Sequence, residues 1–294
     1  MRSIRSRLTQ NPIVADAFRQ RRVGWQLIAA LFLAMLAYCP TLLGASSFLT
    51  TLLSFDLDLP LSTLTALGQF IFYPTILILL VLVTLFAPVL SVGAIAGERQ
   101  RQTLNLLLIT LLPAHSIVRG KLVSALIYLG LLIAAVWPLV LVGAVLGQVA
   151  VAELLVATLL LGVTTLAFTA IGLFVSSRSK TITNATMLTY GVVLPAFLIG
   201  PFLAMLLVTI FLGGVGGGDE LLAYGWSLAA SFNPLTAAVL SYVLHEDDGS
   251  FFLAEPTSNE YMLHPWLIYL AFYAFVTWLL LRLAVQRLEE MNEG

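Results

Sequence analysis

The sequence predicts an all-α polytopic membrane protein with six transmembrane helices, and three observations lead there. Sixty per cent of the 294 residues are hydrophobic and only 10% are charged, with a mean hydropathy of +1.00, outside the range of soluble globular chains. Apolar runs recur that are long enough to cross a hydrocarbon core of ~30 Å at ~1.5 Å per residue. Between them, basic and acidic residues segregate into alternate connections.

The N-terminus opens Met1-Arg2-Ser3-Ile4-Arg5-Ser6-Arg7. A secretory signal would begin likewise, but the apolar segment from Val23 to about Leu43 exceeds the ~7–15 residues of a signal core and reads as a retained span. Before it, Asn11-Pro12 is a helix start: asparagine caps free amides, and proline fits the first helical position. Ile13, Val14, Ala17 and Phe18 share one face, close to Arg19, Arg21 and Arg22. Residues 1–22 are then either a cytoplasmic interfacial helix on lipid head groups or a solvated basic tail that sets topology.

Span one covers about 24–43, with Pro40 to kink or end it, and the connection to Ala66 holds Asp56 and Asp58. Span two covers about 67–96; its length, with Pro74 and Pro88 inside, requires tilt or bending. Residues 97–121 interrupt the apolar pattern. Span three (about 122–146, containing Pro138) turns at Gly147-Gln148 into span four (about 151–175), and Ser176 to Thr181 forms the next polar break. Span five covers about 182–212 through Pro195 and Pro201. A glycine-rich turn then leads to two short apolar runs, within 221–244, on either side of Ser231-Phe232-Asn233-Pro234. Neither run crosses a bilayer alone, so they read as two re-entrant half-helices in the outer leaflet, the second opened by Asn233, Pro234 and Leu235. The alternative is one extra span. A polar loop from His245 to His264 precedes span six (about 265–281), with Trp266 and Trp278 as interface anchors and a short amphipathic tail behind. The whole is one transmembrane domain.

Charge fixes the topology. Six basic residues precede span one, four lie between spans two and three, two between spans four and five, and two follow span six. All fourteen fall on one side of a six-span arrangement, while ten acids and no base fall on the other. The positive-inside rule places both termini and residues 97–121 in the cytoplasm. A seventh span within 221–244 would put Arg282 and Arg287 on the wrong side.

Several chemistries find no support. The apolar segments contain no Asp, Glu, His, Lys or Arg of the kind that ion-coupled carriers use at membrane depth. Gly120-Lys121 is followed by Leu122 rather than serine or threonine, so there is no phosphate-binding loop. One cysteine, Cys39, and three scattered histidines give no metal framework, and no metal site is expected. The acidic cluster at His245 to Asp248 reads as a solvated loop.

The informative stretch is Gly97-Glu98-Arg99-Gln100-Arg101-Gln102-Thr103-Leu104, continuing through a leucine-rich run to Leu112 and ending at Arg119-Gly120-Lys121. Leu104, Leu107, Leu108 and Leu111 fall on one helical stripe, yet ten residues reach only ~15 Å. Composition leaves two readings: a helix packed under the bundle, or one that presents Glu98, Arg99, Arg101, His115 and Arg119 to a soluble partner.

Gly97-Glu98-Arg99, Thr103-Leu104, Leu106-Leu107, Thr110, Ile117 and Gly120-Lys121 resemble the signature between the second and third spans of ABC-2 type transporter permeases. Asn11-Pro12, Gly172-Leu173 to Ser177 with Lys180, Thr181 and Tyr190, and Asn233-Pro234-Leu235 agree with it. Gln102 departs from the family's glycine, Asn105 from its acid, and Leu111 and Pro113 from its proline and serine. The resemblance implies an exporter permease in the cytoplasmic (inner) membrane that is not itself an enzyme. ATP and magnesium would be bound by a separate ABC ATP-binding subunit, seated on a coupling region comprising Gly97, Glu98, Arg99, Arg101, Thr103, Leu104, Leu107, His115, Arg119 and Lys121. Asn11, Pro12, Phe18, Arg19 and Arg22 would form the interfacial helix, and Asn233, Pro234 and Leu235 would line the exit. A second permease copy or paralogue and membrane lipid are the other expected partners; nucleic acid is not. The alternative function is a membrane scaffold or maturation protein that recruits a cytosolic partner without moving a solute.

Overall fold

The computed structural model describes residues 61–103, 113–214, 219–248, 253–254 and 262–293. Span one, the N-terminal helix with Asn11, Pro12, Phe18, Arg19 and Arg22, and Leu104 and Leu107 lie outside these residues. Within them run eight helices: α1 (Leu61–Gln100), α2 (Ala114–Leu146), α3 (Val151–Arg178), α4 (Ile182–Leu198), α5 (Gly200–Gly214), α6 (Asp219–Ala230), α7 (Pro234–Asp248) and α8 (Pro265–Glu293). A two-residue antiparallel pairing, β1 (Leu253–Ala254) with β2 (Met262–Leu263), links α7 to α8 and was not expected. Four helices are long and apolar enough to cross a membrane, and α4 with α5 makes a fifth if the bent pair is one span.

Three boundaries differ from the sequence reading. Helix α1 begins at Leu61 and runs on to Gln100, so Gly97 to Gln100 is the last turn of span two rather than the start of a separate coupling helix region over 97–121. The expected fifth span is broken between Leu198 and Gly200 by a bend of 51°, because Pro201 has no N–H to carry the helical ladder across. Helix α8 continues through the expected tail to Glu293. Beyond Leu281 it still buries Ala284 and Leu288 and carries an Arg287–Glu290 pair one turn apart, which sustains the helix.

Helix α1 is the central element, packed against α2, α3, α4 and α7. Its residues Phe72, Ile76, Leu79, Leu80, Val83 and Ala87 meet Leu129, Val136 and Val140 of α2 and Leu161 and Phe168 of α3 in the largest core cluster. Apolar burial does not distinguish helix from lipid, so close packing must hold this bundle. Glycine provides it. A Cβ on Gly68 would lie 1.9 Å from the backbone nitrogen of Gly147, and one on Gly143 would lie 2.9 Å from that of Phe72. Gly143 on α2 and Gly147, which caps it, therefore let two backbones touch. On the other flank of α1, a Cβ on Gly172 would lie 2.0 Å from Ser91 Oγ.

Hydroxyl groups supply the remaining cross-links. Thr164 and Tyr269 share a buried hydrogen bond of 2.8 Å between α3 and α8, and the Tyr190 hydroxyl of α4 donates to the Leu85 carbonyl of α1. The α6–α7 turn lies well down α8, where the Tyr273 hydroxyl donates to the Phe232 carbonyl at 2.9 Å.

Candidate functional site: a junction at the end of α1

All eight basic residues among those described lie at one end of the bundle: the close of α1, the start of α2, the α3–α4 turn and the close of α8. There the last turn of α1 becomes a junction. Arg99 reaches across to α3, its guanidinium donating to the Ser179 carbonyl at 3.0 Å and the Ser177 carbonyl at 3.2 Å. These carbonyls end a helix and have no helical donor, so a cation there satisfies both hydrogen bonding and the helix dipole. The same guanidinium touches the sulfur of Met291 on α8. Just above it, Ser176 Oγ of α3 accepts from the backbone amides of Ile95 and Ala96, at 3.0 and 2.9 Å.

Glu98 faces the other way. Its Oε1 accepts from Lys121 Nζ of α2 at 2.9 Å and its Oε2 from the Thr103 hydroxyl at 2.5 Å. Burial pushes the Glu98 carboxyl up, but the Thr103 and Lys121 hydrogen bonds and the nearby positive charges outweigh it and hold the group below its ordinary value of 4.5. Gln100 completes the set, its side-chain oxygen accepting from the Ile182 amide at the start of α4 at 3.2 Å. Beneath these polar ties Ile95, Val118 and Leu288 bury one another, joining α1, α2 and α8.

The turn that leaves α1 explains the departure at Gln102. The Thr103 amide donates to the Glu98 carbonyl and the Gln102 amide to the Arg99 carbonyl, the paired bonds of a Schellman motif. That motif needs a left-handed residue, and Gln102 has φ 60°. Glycine adopts this conformation without strain, which is the physical reason for a glycine at this position.

The expected coupling residues thus fall into two groups. Glu98, Arg99, Thr103 and Lys121 turn inward and tie helices together. Arg101, His115 and Arg119 are exposed, and His115 and Arg119 line a groove of about 540 Å³ with Trp278, Arg282 and Glu289 of α8. Gly97 is buried, yet a Cβ there would meet only the Ile182 side chain at an ordinary 3.5 Å. Ser176, Ser179 and Gln100 were missed as site residues, and no local pattern marks them, because their partners lie 80–82 residues away in the chain.

Asn233, Pro234 and Leu235 stand apart, far along the chain from this junction. Buried Asn233 caps α7, its side-chain oxygen accepting from the Leu235 amide at 2.9 Å, while its amide group donates to the Phe197 carbonyl at 2.7 Å. Phe197 lies four residues before Pro201, so Asn233 supplies the donor that proline lacks.

The long apolar helices, the glycine-mediated packing and the polar junction at one end define a multi-pass membrane protein. The chain belongs to the ABC-2 family of transporters: the family model described as ABC-2 family transporter protein matches residues 12–282. It is therefore a permease component of an ABC transporter, a membrane transport subunit rather than a catalyst, and its family implies an ABC ATP-binding partner. A comparison with curated proteins finds no match.

Proposed function

We propose that the chain is the permease half of an ATP-driven exporter in the cytoplasmic membrane, with both termini and the basic end of the bundle in the cytoplasm. The carrying observation is the junction at the end of α1. Four other helices, α2, α3, α4 and α8, contact one turn through Lys121, Ser177 and Ser179, Ile182, and Met291. Exposed Arg101, His115 and Arg119 flank that turn, and they supply the surface on which the ATP-binding subunit sits. ATP and magnesium are held by that subunit. A displacement of the surface moves α1 and everything tied to it, so energy enters from outside the bilayer. Two permease copies share the complex, in contact with lipid. The α6–α7 pair is re-entrant from the acidic face, a reading supported by the Tyr273–Phe232 bond at depth and by the cap at Asn233.

The test uses two exposed arginines, Arg101 beside Glu98 and Arg119 in the groove with Arg282 and Glu289. Arg101→Glu and Arg119→Glu are expected to leave the permease folded, by its melting in detergent, while lowering co-purification of the ATP-binding subunit at least tenfold and abolishing ATP-dependent transport in vesicles. Unchanged assembly and transport in both would remove the coupling role. ATP hydrolysis without movement of any solute would favour the scaffold reading instead.

A further inference from the structure

At the basic end, the groove of about 540 Å³ between α2 and α8 is graded along its length. Helix α2 enters the bundle here and α8 leaves it, so Leu122, Trp278 and Leu281 lie at the membrane end of the groove and His115 and Glu289 at its outer end. Arg119 and Arg282 lie between. Trp278 is 54% exposed, and the Arg282 guanidinium, one turn on, lies 5.4 Å from its ring centroid, a cation over an aromatic face. Helical side chains lean toward the N-terminus, so this contact carries the Arg282 charge back toward the apolar end of the groove.

The charges facing the groove favour an anion. Two guanidiniums and His115 stand against one carboxylate, Glu289, which lies seven residues beyond Arg282 on α8, ~10 Å along the axis. Nearby Arg287 is paired with Glu290, and Lys121 with Glu98. Among the described residues no such pair engages Arg119 or Arg282, and both are exposed. Arginine presents a planar fork of donors that matches a phosphate, and a tryptophan beside an apolar wall suits the region where head group meets acyl chain. A soluble anion would use the arginines and leave Trp278, Leu122 and Leu281 to water. A choline-headed lipid would bring a cation up against Arg282.

We propose that this groove binds an anionic phospholipid, its phosphate held by Arg119 and Arg282 and its acyl chain laid along Trp278 and Leu122. Basic grooves between membrane helices suit such head groups. Binding requires neither ATP nor the partner subunit, although the leaflet that supplies the lipid rests on the orientation proposed above. Arg101 belongs to the partner surface and not to the groove, and Arg282 to the groove and not to that surface, so failure of either reading leaves the other standing.

The full chain, without an ATP-binding subunit, is reconstituted in bilayer discs of phosphatidylglycerol and phosphatidylcholine with matched chains, one or the other brominated, and tryptophan quenching is measured. The part of the quenching that Trp278→Phe removes reports lipid in the groove. That part is expected to favour phosphatidylglycerol by about fivefold or more. Arg282→Gln should lose most of this preference. Glu289→Gln, which removes a carboxylate about a Debye length from Arg282, should raise it about twofold; loss of packing would not move the two variants in opposite directions. Glycerol phosphate, the head without chains, should not relieve the quenching at millimolar concentration. Equal quenching by both lipids, a preference that survives in Trp278→Phe, or one unchanged in a folded Arg282→Gln chain overturns the proposal. Relief by glycerol phosphate makes the occupant a free anion and overturns it likewise. Should Arg282→Gln fail to fold, the two lipids on the parent chain and Glu289→Gln still decide.

Discussion

The Asn233 side-chain amide donates to the Phe197 carbonyl oxygen at 2.7 Å, filling the bond that Pro201, four residues on, is unable to make. One side chain thus caps α7 and repairs the α4–α5 break. Asn233→Ala is expected to cost about 2–4 kcal/mol, from ~1 for the cap and ~1–3 for the stranded carbonyl. Asn233→Asp should recover the cap alone. On a Pro201→Ala background the carbonyl regains a helical donor, so the same Asn233→Ala change should cost less. A double-mutant cycle in denaturant measures this, and additive costs would show that the two sites are uncoupled.

Gln102 holds φ 60° in the turn that ends α1. Left-handed backbone costs a residue with a Cβ ~1–2 kcal/mol relative to glycine. Gln102→Gly should therefore stabilise the fold by up to about 1 kcal/mol, once the added chain entropy of glycine is set against it, and so raise the melting temperature. Gln102→Val should lower it. A melting temperature that falls with glycine would show that the glutamine side chain makes a contact outweighing the strain.

The Glu98–Lys121 pair predicts an acid-side sensitivity. Because the folded carboxyl lies below its ordinary value of 4.5, its stabilising contribution is complete above that value and disappears as pH falls through the lower folded one. The side chains are 28% and 19% exposed, which limits the pair to about 1 kcal/mol. Glu98→Gln should remove that contribution at neutral pH and flatten the stability profile below pH ~4.5. Equal slopes in variant and parent, measured by denaturant unfolding across that window, would show that Glu98 does not titrate with folding.

Glycine substitutions should divide by location. Gly68→Ala and Gly172→Ala place a methyl within 1.9 and 2.0 Å of existing atoms, whereas Gly130 and Gly162 have nothing within 4 Å. The first pair should lose about 1–3 kcal/mol by forcing α1 from its neighbours. Alanine at the second pair should be neutral or mildly stabilising, as expected for a helix. Similar melting of all four variants would mean the helices pack less closely than these contacts require.

Much of the architecture was legible because hydropathy and charge act on long segments. The helices flanking Gly147-Gln148, the break at Ser179 and the start at Pro265 all follow from where apolar runs meet polar or proline residues. What was not legible depended on contacts between distant segments. The continuation of α1 through Gly97 to Gln100 is sustained by Arg99 and Glu98 finding partners on α3 and α2, some 80 and 23 residues away. The end of α8 beyond Leu281 looked like a tail because its burying partners, Ile95 and Val118, lie on other helices. Gly97-Glu98-Arg99 and Lys121 stood out as a motif, but the motif alone did not reveal that Glu98 and Arg99 point to opposite neighbours.

Tyr73 and Arg99 belong to the same unbroken helix, 26 residues apart, a separation of ~39 Å along its axis. One rod therefore has the packed rings of Phe72, Tyr73 and Tyr242 near one end and the meeting of five helices at the other. Pro74 and Pro88 lie between them, each removing one rung of the ladder, so this rod carries two joints. A displacement at either end of this rod reaches the other through the thirteen residues between the prolines, and their stiffness sets how much of it is transmitted.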